Sequence, residues 1–275
     1  MMTPTDGRAG RDAHPYRSPI FIRGGTMLVK VGDMTADVRV HAVMSTPRSG
    51  FTDNFSVWAQ AFIPLGIPVT NHTGAFWSQG IQKAIEKVID DCQYVITVDY
   101  DTFFTKRDVE ALMTLSMAYH CDAITGLQVK RDSGLPMITM LGCDDNPPES
   151  GKTTVSRDWF SKPIQQVDAM HFGCTVISTA ALKRTPKPWF QELADSSGEW
   201  GKGKTDADMF FWRQFRKAGN RAYVTPRVLL GHGEYRILWP NQQMNGPIYQ
   251  NPADFVNNDG KRPQECWITP STTEA

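Results

Sequence analysis

Residues 94–105 read YVITVDYDTFFT. Tyr94 to Val98 is an apolar, largely β-branched run, short enough for a buried strand. It ends on Asp99-Tyr100-Asp101. Two carboxylates on alternate residues just past a buried strand lie at the carboxyl end of a sheet, where open α/β folds bind ligands. Placing two like charges there is costly unless a cation or a donor compensates. Hard oxygen ligands suit Mg²⁺ or Mn²⁺ bridging phosphate oxygens. The plain alternative is a solvated acidic turn.

Working outward, Val38 to Met44 is β-prone and stops at Ser45-Thr46-Pro47-Arg48-Ser49-Gly50, a loop by composition. Asp53 is placed to cap a helix with Phe55, Trp58, Ala59 and Phe62 inward, ended by Pro64 and Gly66. Ile67 to Thr70 is a brief strand. From Trp77 to Asp90, Ile81, Ala84, Ile85 and Val88 step by three and four, which predicts an amphipathic helix. Lys106 to Tyr119 repeats that pattern with Val109, Leu112, Met113 and Met117, and Asp122 to Leu127 is a further buried strand. Such alternation predicts βαβ units and an α/β fold with a mostly parallel sheet.

Residues 131–165 are rich in Pro, Gly, Asp and Ser and read as loops and antiparallel strands. The pattern resumes at Phe172 to Ser178 with a short helix from Thr179. A strong helix runs from Asp206 to Ala218, closed by Gly219. Arg221 to Thr225 and Val228 to Leu230 are strands leading into Gly231-His232-Gly233. The domain organisation expected is an N-terminal arm over residues 1–36, partly flexible, one domain over 37–238, and a C-terminal tail over 239–275 wrapping it. The ordered body begins near Met27 or Asp37.

Lys plus Arg and Asp plus Glu are 29 each in 275 residues, so the formal net charge is zero. That weighs against a large nucleic-acid footprint, which shows as a basic excess. Five scattered cysteines (Cys92, Cys121, Cys143, Cys174, Cys266) without a CxxC pair read as reduced thiols of a cytoplasmic protein, and no zinc-ligand cluster is visible. No apolar run approaches the roughly 18 residues of a membrane span, and the N-terminus has no secretory h-region.

Five segments, taken in order, resemble the A-type glycosyltransferase fold, especially its family-two-like branch. They are Thr46-Pro47-Arg48 after the first strand, the helix FWSQGIQKAIEKVID, the DxD stretch YVITVDYDTFFTKRDVEAL, the segment HFGCTVISTAALKRTPKPWF, and TDADMFFWRQFRKAGNRAYVTPRVLLGHGEY. The resemblance spans about residues 38–235. It implies a single Rossmann-like nucleotide-sugar-binding domain with a mixed central sheet flanked by helices. It also implies a nucleoside diphosphate sugar, UDP-linked, as donor, with Mn²⁺ or Mg²⁺.

Carried over by position, Asp101 is the implied direct metal ligand, and Asp99 contacts the ribose or the metal-bound phosphates. His232 stands where members of the fold supply a further ligand, and Pro47 and Arg48 stand in the base-holding loop. Asp206 and Asp208 open the last helix, where the family usually carries paired acids, one acting as base in inverting members. Counting back from Gly219 puts Asp208 on the second acidic position and Ala207 on the first, a departure from that pattern. As helix openers, the two carboxylates also suit capping.

Gln79, Gln128 and Arg131 are further polar candidates. Arg48 or Arg131 is suited to grip a diphosphate. Trp77 and Trp159 offer stacking faces, whereas Trp212 sits at core spacing.

Three rival readings remain. A haloacid-dehalogenase-type phosphatase needs Thr or Val where Phe103 stands. A nucleotidyltransferase needs a Gly-rich first loop bearing Lys or Arg. A non-catalytic nucleotide-sugar-binding module would have lost the acids. The acceptor is open: a glycan, a small molecule, a protein, or a hydroxylated base in phage DNA.

Overall fold

The computed structural model describes residues 25–47, 52–130, 135–143, 157–201, 203–240 and 247–251, and positions 254, 257, 258, 261, 263 and 264. Strand β1 (Gly25–Val31) turns at Gly32, whose φ of +59° suits a residue without Cβ, into β2 (Met34–Thr46). Met27 and Val29 of β1 are buried while Leu28 is exposed, the period of a half-buried edge strand. Residues 25–36, drawn into the arm from sequence, pair in this hairpin as part of the central sheet.

After β2 the chain forms α1 (Thr52–Phe62), β3 (Val69–Thr73), α2 (Trp77–Glu86) and β4 (Tyr94–Asp99). Next come the two-residue β5 (Thr102–Phe103), α3 (Lys106–Ala118), β6 (Ala123–Leu127) and β7 (Ile138–Met140). Strands β8 (Gln165–Met170) and β9 (Cys174–Ser178) lead to α4 (Thr179–Arg184) and α5 (Ala207–Lys217). The body ends in β10 (Ala222–Leu229), β11 (Gly231–His232) and the pair β12 (Ile237–Pro240) and β13 (Pro247–Gln250).

Among the described residues the central sheet has nine strands, in the order β1-β2-β4-β9-β6-β10-β8-β7, with β3 also on β2. Strands β2, β3, β4, β6, β7 and β10 run one way, and β1, β8 and β9 the other. The domain is α/β, with a mixed sheet flanked by helices.

Alternation along the strands supplies a core on each face. Val95 of β4 and Ile177 of β9 meet Ile81, Ile85, Leu182, Phe211 and Trp212 from α2, α4 and α5. Ile96, Val98 and Val176 meet Trp58, Phe62, Val109, Leu112 and Met113 from α1 and α3. Each fully buried aliphatic side chain contributes roughly 1.5–3 kcal/mol, so Ile96→Ala, which also opens a cavity, costs about 2–5 kcal/mol. Helix α3 is fixed at its start by a capping box: Thr105 accepts from the Asp108 N–H, and Asp108 accepts from the Thr105 N–H.

Three local expectations change. Helix α1 begins at Thr52, so Asp53 lies inside its first turn, and its buried stripe is Asn54, Trp58, Ala61 and Phe62. Phe55 is 57% exposed. Asn54 takes the inward position because the distant Thr102 carbonyl and the Trp58 indole N–H, one turn on, satisfy its amide.

The two short strands expected over 221–230 are one strand, β10. It shifts register against β6 between Thr225 and Leu229, around Pro226, which has no N–H for the ladder. The brief strand expected over 67–70 runs instead from Val69 to Thr73 beside β2.

Cys92, Cys121, Cys143 and Cys174 are free thiols. Burial pushes Cys92 and Cys121 up to about 12, which keeps them unreactive. No described helix is long and apolar enough to cross a membrane.

Candidate functional site

The turn Asp99-Tyr100-Asp101 leaves β4 at the carboxyl ends of β2, β3 and β4, and hydrogen bonds from five directions hold it. The Asp99 N–H donates to the Gly173 carbonyl (3.0 Å), one step past the β4–β9 ladder. Trp77 Nε1 donates to Asp99 Oδ1 (3.0 Å). The Gly233 N–H donates to the Asp101 carbonyl (2.6 Å). Asn54 Nδ2 donates to the Thr102 carbonyl, and Asn54 Oδ1 accepts from Trp58 Nε1. Gln128 Nε2 donates to Thr102 Oγ1 (3.3 Å) and to the Gly231 carbonyl (3.1 Å). Such density of satisfied polar contacts fixes the backbone of the turn, and the Trp77 N–H sets the direction of the Asp99 carboxylate.

The pair β5–β11 registers His232 against Thr102. It sets His232 Nε2 3.9 Å from Asp101 Oδ2, too long for a hydrogen bond. His232 Nδ1 lies 2.9 Å from the Val129 carbonyl, which can only accept, so Nδ1 carries the proton. In the neutral ring, Nε2 therefore presents a lone pair towards the Asp101 side.

Asp101 Oδ2 and His232 Nε2, 3.9 Å apart, are a carboxylate oxygen and an imidazole nitrogen, donor types that suit a divalent cation, and a ligating histidine commonly donates its other N–H to a backbone carbonyl. Asp101 is 5% exposed. The donor set thus fits Mn²⁺ or Mg²⁺. Among the described residues no group of three or more His, Cys, Asp or Glu gathers, so substrate oxygens and water would complete the shell.

A cavity of about 440 Å³ opens beside this turn, between the ends of β2 and β3 and the first turns of α1. Its walls include Thr46, Pro47, Phe55, Asn71, Thr73 and Tyr100. Asn71 Nδ2 reaches Thr46 Oγ1 (3.4 Å), which in turn lies 3.1 Å from Thr73 Oγ1. The exposed Phe55 ring packs on Trp58 at 4.3 Å between centroids.

Asp208 lies in the first turn of α5, half-buried, with Oδ1 accepting from the Met209 N–H (2.7 Å). Burial raises its pKa above the usual carboxylate value, and the nearby Asp206 charge adds to this, while the Met209 N–H opposes it. Asp206 stands at the N-cap position without a capping hydrogen bond, exposed and 3.0 Å from Lys204 Nζ.

An aromatic cluster joins α5 to the motif. Trp77 packs on Phe172 and Phe190, Phe172 stacks on Trp212, and Phe190 stacks on Phe211.

The structure thus gathers Asp99, Asp101, His232, Trp77 and Gln128 around one turn and puts Pro47 in the cavity wall. The Trp77 ring packs within the aromatic cluster, with its N–H on Asp99. The Gln128 side chain is buried and its amide is engaged inside the protein. Gln79 is exposed on α2, and Trp159 is buried in the core, so it offers no stacking face. Arg48 and Arg131 lie outside the described residues. Sequence reasoning passed over Asn54, His171, Gly173 and Asn71. For the first three the signal was slight: a polar residue at an inward helix position, and a histidine two residues from a glycine.

No family model matches the chain, and no curated protein matches it. Among solved structures it is similar to A197 from STIV, at 11% identity and a TM-score of 0.47, covering 72% of this chain and 95% of that one. It is similar to GalNAc-T7, solved with UDP, GalNAc and Mn²⁺, at 11% identity and a TM-score of 0.44, over 73% of this chain and 44% of that one. It is also similar to S. aureus TarS 1-349 in complex with UDP-GlcNAc, at 13% identity and a TM-score of 0.41, over 79% of this chain and 63% of that one. The chain therefore spans less than two thirds of the length of these last two. Its structural neighbours include GT-A glycosyltransferases, at low sequence identity.

Proposed function

We propose that this chain is a metal-dependent glycosyltransferase that moves a sugar from a nucleoside diphosphate sugar, UDP-linked, to an acceptor hydroxyl. The observation that carries the reading is the facing pair of Asp101 Oδ2 and His232 Nε2, 3.9 Å apart, at the carboxyl end of co-directional strands. Asp101 and His232 would hold Mn²⁺ or Mg²⁺. When bound, the metal supplies neutralisation of charge on the departing diphosphate.

The remaining work falls to the chain's own groups. The cavity beside Tyr100 takes the nucleoside, with the Phe55 face available for the base and Asn71, Thr46 and Thr73 for polar edges. Asp99, oriented by the Trp77 N–H, accepts from a ribose hydroxyl. In the transfer, the bond from the anomeric carbon to the phosphate oxygen breaks and a bond to the acceptor oxygen forms. Asp208 takes the proton that the acceptor hydroxyl releases. Its raised pKa brings it closer to the operating pH, which suits a general base.

A panel of nucleotide sugars with Mn²⁺, scored for nucleoside diphosphate release, tests the reading with Asp101→Ala as control. Release from at least one donor that is abolished in Asp101→Ala is expected. No release from any donor, or equal release by the variant, overturns it.

A further inference from the structure

Behind the motif turn, the His171 ring is buried and its two nitrogens make hydrogen bonds of opposite sense, with Thr125 Oγ1 a longer 3.5 Å contact at Nε2. Its Nε2 lies 3.1 Å from the Gly126 carbonyl, an obligate acceptor, so Nε2 carries the proton. Its Nδ1 accepts the Gly173 N–H at 3.0 Å, which requires a lone pair. Only the neutral Nε2–H tautomer serves both. Burial favours that form, lowering the pKa to about 4.

The peptide between Phe172 and Gly173 is thereby held at both ends, because its carbonyl accepts from Thr97 Oγ1 at 3.0 Å. The next carbonyl, that of Gly173, receives the Asp99 N–H. Gly173 is also wedged in place. A Cβ there would lie 2.6 Å from Thr102 Oγ1, 2.9 Å from Gln128 Oε1 and 3.0 Å from His171 Nδ1.

We infer that His171 is a positioning residue for the acidic turn, acting through Gly173 to hold the backbone of Asp99. It touches neither substrate nor metal. The consequence for sugar transfer rests on the function proposed above, whereas the positioning itself does not.

Two substitutions separate the ring nitrogens. His171→Asn keeps an acceptor near the Nδ1 position, and His171→Gln keeps a donor near the Nε2 position. Amide hydrogen exchange of Asp99 in the full chain is the primary readout. Exchange in His171→Gln is expected to rise about tenfold, the scale of one lost hydrogen bond, while His171→Asn stays near the wild type. Equal protection in wild type and His171→Gln, or equal loss in both variants, overturns the inference.

Should either variant fail to fold, the ¹⁵N resonances of the wild-type ring decide. A proton on Nδ1, or a cationic ring near neutral pH, refutes the inference, and the Nε2–H tautomer upholds it. Nucleoside diphosphate release, measured alongside, is expected to follow the amide pattern, with KM for the donor rising in His171→Gln. If the wild type releases none, the proposed function fails while the amide result still judges His171.

Discussion

Trp77 Nε1 donates to Asp99 Oδ1 at 3.0 Å, while the same indole meets Phe190 edge-on at 5.3 Å between centroids. The first carboxylate of the motif is therefore oriented by a side chain rooted in the core that also carries α5. Trp77→Phe keeps the ring and removes the N–H. Donor turnover is expected to fall by about tenfold with little change in melting temperature, since one charge-assisted hydrogen bond is lost. Steady-state kinetics beside thermal melts check this, and an unchanged rate would remove Trp77 from the site.

His232 faces Asp101 through a lone pair because Val129 holds its proton on the other nitrogen. His232→Ala is expected to raise the Mn²⁺ concentration needed for half-maximal turnover by about 10–100-fold, the usual scale for disturbing a metal site. Calorimetric titration with Mn²⁺ and UDP measures the same loss without turnover.

Asp208 is held at a raised pKa mainly by burial, so its charge at neutral pH costs stability. Asp208→Asn is expected to abolish most transfer while raising the melting temperature at pH 7. The sign follows from linkage. Folded and unfolded states both hold the proton below the ordinary carboxylate value, so the gain vanishes there. It appears as pH rises through the elevated folded value. Melting curves across pH 3 to 7 read this out, and a lower melting temperature at pH 7 would contradict it.

His41 and His171 are both lowered from 6.5 to about 4, chiefly by burial. Below 6.5 the unfolded chain binds protons that the folded chain refuses. Stability is thus full above pH 6.5 and falls as pH drops towards 4, by roughly 3 kcal/mol for each histidine once both states are protonated. Urea midpoints at pH 7 and pH 4.5 should differ in that direction.

Much of the frame was legible because burial on both faces leaves a periodic trace. The step of three and four through Ile81, Ala84 and Ile85 marks α2, and all three are buried. Val88 is buried too, but in the turn after the helix, which ends at Glu86 and not at Asp90. Gly219, with φ at +81°, closes α5 where the sequence put a stop. The approach of His232 to Asp101 left no such trace. It depends on β5 and β11, two residues each, too short to show any period. Asn54 was passed over for a related reason. A polar residue on an inward face looks outward in sequence, and only its bond to the distant Thr102 carbonyl reverses that.

The sequence by itself determined the α/β alternation, the strand that ends at Asp99, and the acids at the head of α5. Those follow from local periodicity and from where charges are tolerated. Tertiary structure alone decided which groups face the turn. Trp77 orients Asp99, His232 meets Asp101, and His171 braces the backbone through Gly173. Each is a hydrogen bond or an approach between segments far apart in the chain. Its direction is set by strand register and side-chain tautomer, neither of which local composition encodes.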